Sequence, residues 1–358
     1  MKNLRDYEND IVKCSKCALC QSVCPVFKLT KNECAVSKGK FVMLDGVIKG
    51  KLKLSKTINK YLDMCSKCGK CKDFCPSGID IVKIFNCAKY DYAKNNLFSK
   101  IIFALQSELL FDNLLNLFQS FNNLFLLKYS NNNKSYSVQN ALYFKGCSNK
   151  VFPRNEVALK KIFNQLRINL KEENFTCCGV PFLSSGNLER YERAKNTNLR
   201  IIQNREHDFI ITDCASCEDS LKDYNENINV VNIVEFLIKQ DKKFVFKKPL
   251  RVTFHKPCHM KNYENIKKLF GMCENIEYIE MKDYDECCGF SGEFALNNPK
   301  IAKQLMKTKA ENALSTGADV ILTMCPACVI GLNTGLLLNR KKAKVMNIVE
   351  FISQSEIL

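Results

Sequence analysis

The sequence lacks three features, and each absence excludes a class of protein. It has no run of 18 consecutive apolar residues among its 358 residues, so we expect no transmembrane segment. It has neither a G-x-G-x-x-G sequence nor a P-loop, so we expect no flavin or nicotinamide site on this chain. Its first residues are charged instead of apolar, so we expect no export signal and a cytoplasmic location.

The charge of the chain is strongly positive, with 54 Lys and Arg against 37 Asp and Glu and a formal net charge of +17. The lysines are scattered and no nucleic-acid-binding motif accompanies them, so we expect no nucleic-acid partner. The excess favours an acidic protein partner or a peripheral position on the inner face of the cytoplasmic membrane. A solvated, lysine-rich surface without a target is the alternative.

Cysteine is unusually abundant, with 21 copies, and in a chain without an export signal this indicates metal or redox chemistry instead of disulfides. A C-x2-C-x2-C-x3-C-P run occurs twice, at residues 14–25 and 65–76. This is the spacing of bacterial two-cluster ferredoxins, in which the fourth cysteine of each run binds the other cluster, and a zinc site would not need it. We therefore predict one [4Fe–4S] cluster on Cys14, Cys17, Cys20 and Cys75, and a second on Cys65, Cys68, Cys71 and Cys24.

The residues between the two runs predict a helical ferredoxin domain. Apolar residues recur at steps of three and four in residues 40–48 and 58–64, which is typical of amphipathic helices. Cys34 and Cys87 lie outside the runs and are predicted to be ordinary buried thiols. Five lysines flank the runs, where they either guide an acidic partner or are simply solvated: Lys13, Lys16, Lys67, Lys70 and Lys72.

A bridge follows this domain. Residues 97–128 are rich in Leu, Phe and Ile with polar interruptions, which predicts one or two helices with a broad apolar face. We expect that face to pack within the protein or against a partner, with the membrane interface as the alternative. A polar stretch at residues 129–137 predicts a loop or linker.

The remainder of the chain is an internal duplication. The first copy contains Cys147, then Cys177-Cys178-Gly179, then Cys214 and Cys217, and the same pattern returns about 110 residues later. Short strands predicted at 141–144, 209–212, 251–254 and 320–323 end close to cysteines. Helices predicted at 189–204 and 299–314 follow, so each copy is predicted to be an α/β domain with a mainly parallel sheet. The cysteines then lie at the carboxyl ends of strands, where such sheets bind ligands.

The fold class is therefore a multi-domain α+β chain, with an N-terminal α-helical two-cluster ferredoxin domain followed by two homologous α/β domains. The predicted boundaries are 1–95 for the ferredoxin domain, 96–138 for the bridge and linker, 139–245 for the first copy and 246–358 for the second. The copies hold two sets of five cysteines: Cys147, Cys177, Cys178, Cys214 and Cys217, and Cys258, Cys287, Cys288, Cys325 and Cys328. Five thiols exceed the four that a tetrahedral zinc or a simple cubane takes.

Both copies resemble the CCG domain of the heterodisulfide reductase family. The whole order resembles the iron–sulfur subunits of glycolate oxidase and anaerobic glycerol-3-phosphate dehydrogenase, and the catalytic iron–sulfur subunit of heterodisulfide reductase. The resemblance implies one or two further [4Fe–4S] clusters in the CCG domains, of the non-cubane type found in heterodisulfide reductases, with zinc as the alternative. It also implies an FAD-containing dehydrogenase subunit as partner, and a quinone or a membrane subunit beyond it.

The resemblance gives two candidate functions. The first is electron transfer from an FAD-dependent 2-hydroxyacid (glycolate or lactate) or glycerol-3-phosphate dehydrogenase toward the quinone pool. The second is disulfide reduction at a non-cubane [4Fe–4S] cluster. A scaffold protein with structural zinc is a third class, which the complete ten-cysteine set disfavours.

Histidine is scarce, with three copies, yet two of them, His255 and His259, flank Cys258. They are candidate catalytic residues that would tune a cluster by hydrogen bonding or relay protons, and packing of the turn is the alternative. His207 is predicted to be a surface residue, and Cys273, which has no counterpart in the first copy, a spare thiol.

Overall fold

The structure, a computed structural model, describes residues 3–96, 100–101, 139–147 and 152–358. The predicted bridge at residues 97–128 and the loop at 129–137 lie outside the described residues, apart from residues 100–101. The described residues form two compact units. The first contains the residues up to 101 together with Pro181–Glu192 and Cys287–Met306, and the second contains the other described residues from 139 onward. In the described part of the chain, no helix is long and apolar enough to cross a lipid bilayer.

The N-terminal part of the first unit is helical, as predicted. Its helices are α1 (Glu8–Val12), α2 (Leu19–Val23), α3 (Pro25–Thr30), α4 (Ser37–Ile48), α5 (Lys56–Asp63), α6 (Lys70–Asp73) and α7 (Ile81–Lys94), with 3-10 turns at Leu4–Tyr7 and Glu33–Ala35. Helix α4 covers the predicted stretch 40–48, and α5 covers the predicted stretch 58–64 except for its last residue. Ser55 caps the N-terminus of α5, where its side chain accepts a hydrogen bond from the Ile58 backbone N–H. Asp80 caps α7 in the same way and accepts from the Lys83 backbone N–H.

The core of this part lies behind the cysteine runs. Phe41 and Leu44 of α4, Leu62 of α5, and Ile84 and Phe85 of α7 are almost fully buried and pack together. Their spacing of one helical turn or less directs one face of each helix inward. Four cysteines pack against the rim of this core: Cys14, Cys65, Cys71 and Cys75.

The first copy of the duplication forms a parallel four-stranded sheet. Its strands are β1 (Asn140–Tyr143), β2 (Asn169–Glu172), β3 (Phe209–Thr212) and β4 (Val230–Asn232), in the order β2-β1-β3-β4. Its helices are α8 (Pro153–Leu166), α9 (Val180–Ser185), α10 (Leu188–Gln203), α11 (Ala215–Tyr224) and α12 (Ile233–Lys239). Helices connect the successive strands, and such βαβ connections allow neighbouring strands to run parallel.

The second copy repeats this order. Its strands are β5 (Phe244–His255), β6 (Cys273–Tyr278), β7 (Val320–Thr323) and β8 (Lys344–Asn347), in the order β6-β5-β7-β8, and β9 (Glu356–Ile357) pairs antiparallel with β5. Its helices are α13 (Glu264–Gly271), α14 (Gly292–Asn297), α15 (Pro299–Leu314), α16 (Pro326–Leu338) and α17 (Ile348–Ile352). The predicted duplication and the predicted fold class are confirmed, and the domain boundaries stay predictions.

The sheets of the two copies share one apolar core inside the second unit. Phe163 stacks on Phe236 in the first copy, and Phe246 stacks on Phe351 in the second. All four belong to a single cluster of buried side chains that includes residues of both sheets. Because the copies bury a common surface, the position of one sheet fixes that of the other.

Each copy also contributes one segment to the first unit. In Pro181–Glu192, Leu188 packs with Cys87 and Tyr90, and the Tyr90 hydroxyl donates to Glu189 over 2.9 Å. In Cys287–Met306, a cluster including Phe294, Ala302, Leu305 and Met306 packs against Val26 and Ala35. The first unit is therefore built from three separate stretches of sequence.

Candidate metal centres

The two cysteine runs fold into loops of the same backbone conformation. Lys16 and Lys67, at equivalent positions of the two runs, each have a left-handed backbone with a φ of 57°. The next left-handed residues are Ala18 and Gly69, which are also at equivalent positions and have φ of 66° and 78°. Left-handed residues alternating with extended or helical ones turn backbone N–H groups toward one concave side of a loop. The N–H of Leu19 lowers the pKa of the Cys17 thiol by this means. In the first loop, this N–H group therefore favours the ionised form of Cys17.

The first predicted ligand set surrounds one cavity. Its lining includes Cys14, Cys17 and Cys20 from the first run and Cys75 from the end of the second. Cys71 also contributes to the wall, and Cys17 is exposed. The structure therefore brings together the four cysteines of the crossed assignment, at a position open to solvent.

Helix α4 begins between the two predicted sites. Burial raises the pKa of Cys20, and the backbone N–H of Lys38 partly offsets this. Burial and, to a smaller extent, charge on Cys65 raise the pKa of Cys71 to about 12, whereas the hydrogen bond with the Ser37 hydroxyl lowers the pKa of Cys71. The positive end of the helix dipole thus faces thiols of both sets, which stabilises negative charge there.

The second predicted set is more deeply placed. Burial raises the pKa of Cys24, and charge on Cys65 raises it further, so these two thiols are neighbours. Charge on Cys65 and charge on Cys24 both raise the pKa of Cys71, so Cys71 lies close to these two thiols. Burial opposes ionisation of Cys65 as well, yet the ammonium groups of Lys40 and Lys67 bring its pKa below the usual value.

Lys67 corrects one expectation from the sequence. Its position in the run groups it with lysines that are solvated or guide a partner, but it is 8 % exposed, and Lys40 is 2 % exposed. Both ammonium groups lie over the ring of Phe85, with Nζ-to-centroid distances of 5.6 Å for Lys67 and 5.3 Å for Lys40. Burial lowers the pKa of Lys67 to about 8. No periodicity in the sequence distinguishes these two lysines from their exposed neighbours.

A third buried lysine is neutralised by carboxylates. The Lys89 ammonium is 2.8 Å from Asp63 Oδ1 and also pairs with Glu293. Burial lowers the pKa of Lys89, but Glu293 and Asp63 outweigh it and leave the pKa raised. Among the described residues of this region, Lys40 and Lys67 are therefore buried lysines that have no paired carboxylate.

The Cys-Cys-Gly sequence of the second copy adjoins the second run within the first unit. Burial raises the pKa of Cys68 well above its usual value, and charge on Cys287 raises it further, more than charge on Cys71 does. Ser291 holds the segment there, because its hydroxyl donates to the Ser66 carbonyl over 2.7 Å. The Asn298 side chain likewise donates to the Asp63 carbonyl over 2.8 Å. Cys288 is buried in the same segment.

The five cysteines of the first copy form a chain of neighbouring thiols in the second unit. The Sγ atoms of Cys177 and Cys147 are 3.5 Å apart. Hydrogen bonding to Cys147 and Cys178 raises the pKa of Cys177, while hydrogen bonds from Cys177 and Cys217 lower that of Cys178. Cys217 in turn contacts Cys178 and Cys214. All five thiols of the first predicted CCG set therefore lie in one series of pairwise contacts, and their role as cluster ligands stays a prediction.

The turn that brings Cys177 and Cys178 together is held by side chains of the same copy. Gly179 has a φ of 85°, as the tight turn after two adjacent cysteines requires. The Cys178 carbonyl accepts hydrogen bonds from the Ser220 hydroxyl over 2.7 Å and the Tyr224 hydroxyl over 2.8 Å. Asn198 donates to the Cys177 carbonyl over 3.2 Å. These bonds fix the backbone so that both sulfurs face the site.

The chain of thiols continues into the second copy. Cys214 hydrogen-bonds to Cys325, which also contacts Cys328. The Ala215 N–H donates to the Met324 carbonyl over 2.9 Å and joins the two strand ends. The reciprocal bond is absent because Pro326 has no N–H, and among the described residues Asn347 donates to the Asp213 carbonyl instead, over 3.1 Å.

The second predicted set is divided between the compact units. Cys258, Cys325 and Cys328 belong to the second unit, and Cys287 and Cys288 to the first. His255 is fully buried at the end of β5, and one of its ring nitrogens lies within 4.8 Å of the Cys328 sulfur. Burial lowers the pKa of His255 well below its usual value, and Lys309 lowers it further. Phe144 occupies the equivalent position in the first copy, where it packs against Phe175 with 4.7 Å between ring centroids.

His259 contacts a carboxylate, that of Asp219, which no sequence motif indicates. Its Nδ1–H donates to Asp219 Oδ2 over 2.8 Å, and Lys261 pairs with the other oxygen over 3.3 Å. Burial lowers the pKa of His259, but the hydrogen bond to Asp219 outweighs burial, and charges on Cys325 and Cys178 raise the pKa further. Asp219 follows Cys217 by two residues on α11, and only that proximity to a predicted ligand could have singled it out.

The remaining candidate residues have ordinary surroundings. Cys87 is buried, as predicted, but Cys34 is only half-buried. Cys273 donates to the Leu269 carbonyl over 3.2 Å, and burial raises its pKa to about 12. The His207 ring contacts the Arg205 carbonyl over 2.8 Å near the surface.

The donor groups fit iron–sulfur clusters. Thiols are the ligands that such clusters take, and backbone N–H groups point at several of them. The Lys67 ammonium is buried and has no hydrogen-bond acceptor among the described residues. A buried ammonium of this kind is stabilised by an anionic group bound at Cys65, which a thiolate-ligated cluster supplies.

Comparison with known proteins identifies the parts of the chain. A 4Fe-4S dicluster domain matches residues 10–79, and the CCG cysteine-rich domain matches twice, at residues 141–222 and 252–333. An uncharacterised iron–sulfur protein of Methanococcus maripaludis is 30% identical over 315 residues, which are 81% of this chain and 62% of that protein. The chain thus spans less than two thirds of that relative's length.

Two relatives with described roles are more distant. One subunit of the dihydromethanophenazine:CoB–CoM heterodisulfide reductase of Methanosarcina acetivorans is 26% identical over 81% of this chain and 77% of that protein. Lactate utilization protein A of Oceanobacillus iheyensis is 27% identical over 50% of this chain and 81% of that protein. A crystal structure of a hypothetical protein from Helicobacter pylori shares the fold, with a TM-score of 0.55 at 11% identity over 88% of this chain and 67% of that one.

Proposed function

This chain belongs to the iron–sulfur proteins that join a 4Fe-4S dicluster domain to two CCG cysteine-rich domains, and we propose that it is the electron-transfer subunit of an oxidoreductase complex. Two cubane clusters would be held by the crossed ligand sets, with Cys75 completing the first and Cys24 the second. By the sequence repeat, each CCG domain would hold a further cluster on its five cysteines. Such clusters, when bound, carry single electrons.

The position of Cys287 beside Cys68 carries this proposal. In the first unit, charge on Cys287 of the second CCG motif raises the pKa of Cys68, a proposed ligand of the second cubane. This effect is larger than that of Cys71, which belongs to the same run as Cys68. Electron transfer needs short distances between carriers, and this segment is fixed by the hydrogen bonds of Ser291 and Asn298. The dicluster domain and a CCG motif would therefore form one continuous electron path instead of two tethered modules.

The chain of thiols in the second unit supports two CCG sites in contact. Cys214 of the first copy hydrogen-bonds to Cys325 of the second. A carrier bound at Cys214 and a carrier bound at Cys325 would exchange electrons over a few bonds. A scaffold with structural zinc would need neither this contact nor the fifth cysteine of each set.

The relatives suggest what the complex oxidises and reduces. The match to lactate utilization protein A supports a partner that oxidises a 2-hydroxyacid, and an FAD-containing dehydrogenase subunit would perform that two-electron step. The present chain would pass the electrons singly toward a quinone. Its positive net charge of +17 suits an acidic partner.

Disulfide reduction is a second candidate, which the His259–Asp219 pair favours. Breaking one S–S bond takes two electrons and two protons and yields two thiols. Asp219 fixes the Nδ1–H tautomer of His259, and the ring is close enough to Cys178 and Cys325 for their charges to act on it. His259 would hand one proton to the leaving sulfur, and solvent would supply the other. The match to the heterodisulfide reductase of Methanosarcina acetivorans agrees with this chemistry.

Metal analysis of anaerobically purified protein tests the proposal. We expect roughly 16 iron and roughly 16 acid-labile sulfide per chain, which corresponds to four clusters. Roughly 8 iron with bound zinc would leave only the dicluster domain as a carrier and would overturn the role of the CCG domains. Reduction of a small disulfide by the dithionite-reduced chain alone would favour the second candidate, and electron uptake only from a copurified flavoprotein would favour the first.

A further inference from the structure

Two lysines at the same position of the two cysteine runs have opposite surroundings. Lys16 and Lys67 both follow the first cysteine by two residues, and both have a φ of 57°. Lys16 is exposed to solvent, whereas Lys67 is 8 % exposed. The two lysines share the local sequence Cys-Ser-Lys-Cys and the same φ, but they differ in burial.

The charge near the second site is strong because it is buried and poorly compensated. The Lys67 ammonium has no hydrogen-bond acceptor among the described residues, and the Lys40 ammonium donates to a neutral group, the Ala35 carbonyl, over 2.6 Å. The nearby carboxylate of Asp63 pairs with Lys89, as does Glu293. Among the described residues, Lys40 and Lys67 therefore add positive charge that no paired carboxylate neutralises, in a region of low dielectric constant.

The first site has no comparable charge among the residues described around it. Two lysines belong to the lining of its cavity, Lys16 and Lys38. Lys16 is solvated, and Lys38 pairs with Glu33 over 3.3 Å. Water screens the first charge and a carboxylate compensates the second, so neither acts strongly on a cluster held by Cys14, Cys17 and Cys20.

We propose that Lys40 and Lys67 make the second cluster of the dicluster domain the easier one to reduce, and thereby set the direction of electron flow. Reduction adds one negative charge to a cluster, and buried positive charge stabilises that product. One electron would leave the reduced first cluster and enter the oxidised second cluster, with no proton moved. The second cluster is the one beside Cys287, so electrons would collect at the CCG end of the first unit. This inference rests on the proposed pair of cubane clusters.

Redox titration of the anaerobic protein, followed by EPR of each cluster, tests this inference. In the wild type we expect the second cluster to have the higher potential. We expect Lys67→Met to lower the potential of the second cluster relative to that of the first. The equilibrium constant for electron transfer from the first cluster to the second should fall at least tenfold, which corresponds to ~59 mV for one electron. Lys40→Met should shift it in the same direction. Methionine keeps the buried apolar volume over Phe85 while it removes the charge.

Lys16→Met is the matched control, because it removes a charge at the same motif position on the solvated side. We expect it to leave both potentials unchanged. A higher potential for the first cluster in the wild type would overturn the inference, as would an unshifted second cluster in both buried-lysine variants with full iron content. If Lys67→Met loses iron, the inference is tested by the potential of the second cluster in Lys40→Met and by the order of the two potentials in the wild type. Absence of cubane signals from the wild type would instead refute the proposed function itself.

Discussion

Gly289, which follows Cys287 and Cys288, allows a direct test of how tightly the second CCG turn is packed. Its φ is +84°, and a Cβ added there would lie 2.7 Å from the Ala302 carbonyl oxygen, 2.8 Å from Leu305 Cβ and 3.0 Å from the Met306 nitrogen. Gly69 in the second cysteine run has a similar φ of +78°, but a Cβ there would meet nothing within 4 Å. Ala18 already occupies the equivalent position of the first run with a φ of 66°.

The two substitutions to alanine therefore differ in packing and not in backbone strain. The left-handed conformation costs alanine ~1 kcal/mol at either position. At Gly289 the contacts with backbone atoms of α15 add ~2 kcal/mol of overpacking. We expect Gly289→Ala to destabilise the protein by ~3 kcal/mol in total, against ~1 kcal/mol for Gly69→Ala.

Thermal unfolding of anaerobic protein, monitored by circular dichroism, measures this difference. Domains of this size lose roughly 3 °C of melting temperature per kcal/mol, so we expect roughly 9 °C for Gly289→Ala and roughly 3 °C for Gly69→Ala. Iron content gives a second readout, because a shift of the turn displaces Cys287 and Cys288, whereas Gly69→Ala should keep its iron. Equal losses of melting temperature in the two variants would refute the packing argument.

Two further predictions concern the ligand assignment and the histidine. Cys75→Ser should remove the EPR signal of the first cluster and Cys24→Ser that of the second, and the opposite pattern would show that the fourth cysteines do not cross. Asp219→Asn should destabilise the protein by ~1 kcal/mol near pH 6. Since Asp219 raises the pKa of His259, the ion pair contributes below about pH 6.5 and its contribution is lost as the pH rises through the raised pKa. Urea unfolding from pH 6 to 9 should show a shrinking difference from the wild type, and a constant difference would contradict the sign.

The sequence was most informative where spacing alone determines structure. The two C-x2-C-x2-C-x3-C-P runs and the repeat of about 110 residues led to a helical dicluster domain and two parallel sheets, and both are present. The helix predicted at 299–314 has those bounds, and the one predicted at 189–204 is shifted by one residue at each end. Strong periodicity and metal-ligand spacing are local properties, which is why they can be read from one chain.

The features that the sequence did not reveal depend on long-range packing. Lys16 and Lys67 have the same local sequence, yet Lys16 is exposed and Lys67 is buried over the ring of Phe85. Asp219 acquires a role because a residue 40 positions away, His259, folds onto it. Neither relation leaves a periodic signal.

The composition of the first unit has a consequence for biosynthesis. Its apolar cluster around Phe294 and Ala302 comes from Cys287–Met306, while its cysteine runs end at Cys75. A ribosome must therefore add more than half of the chain after the last cysteine of the runs before this unit can close. Throughout that interval Cys65 and Cys68, which flank Ser66 and its neighbour Lys67, lack the segment that packs beside them in the first unit. For the same reason, an expression fragment that stops near residue 95 would lack part of its own core, and the full chain is the form in which to load the clusters.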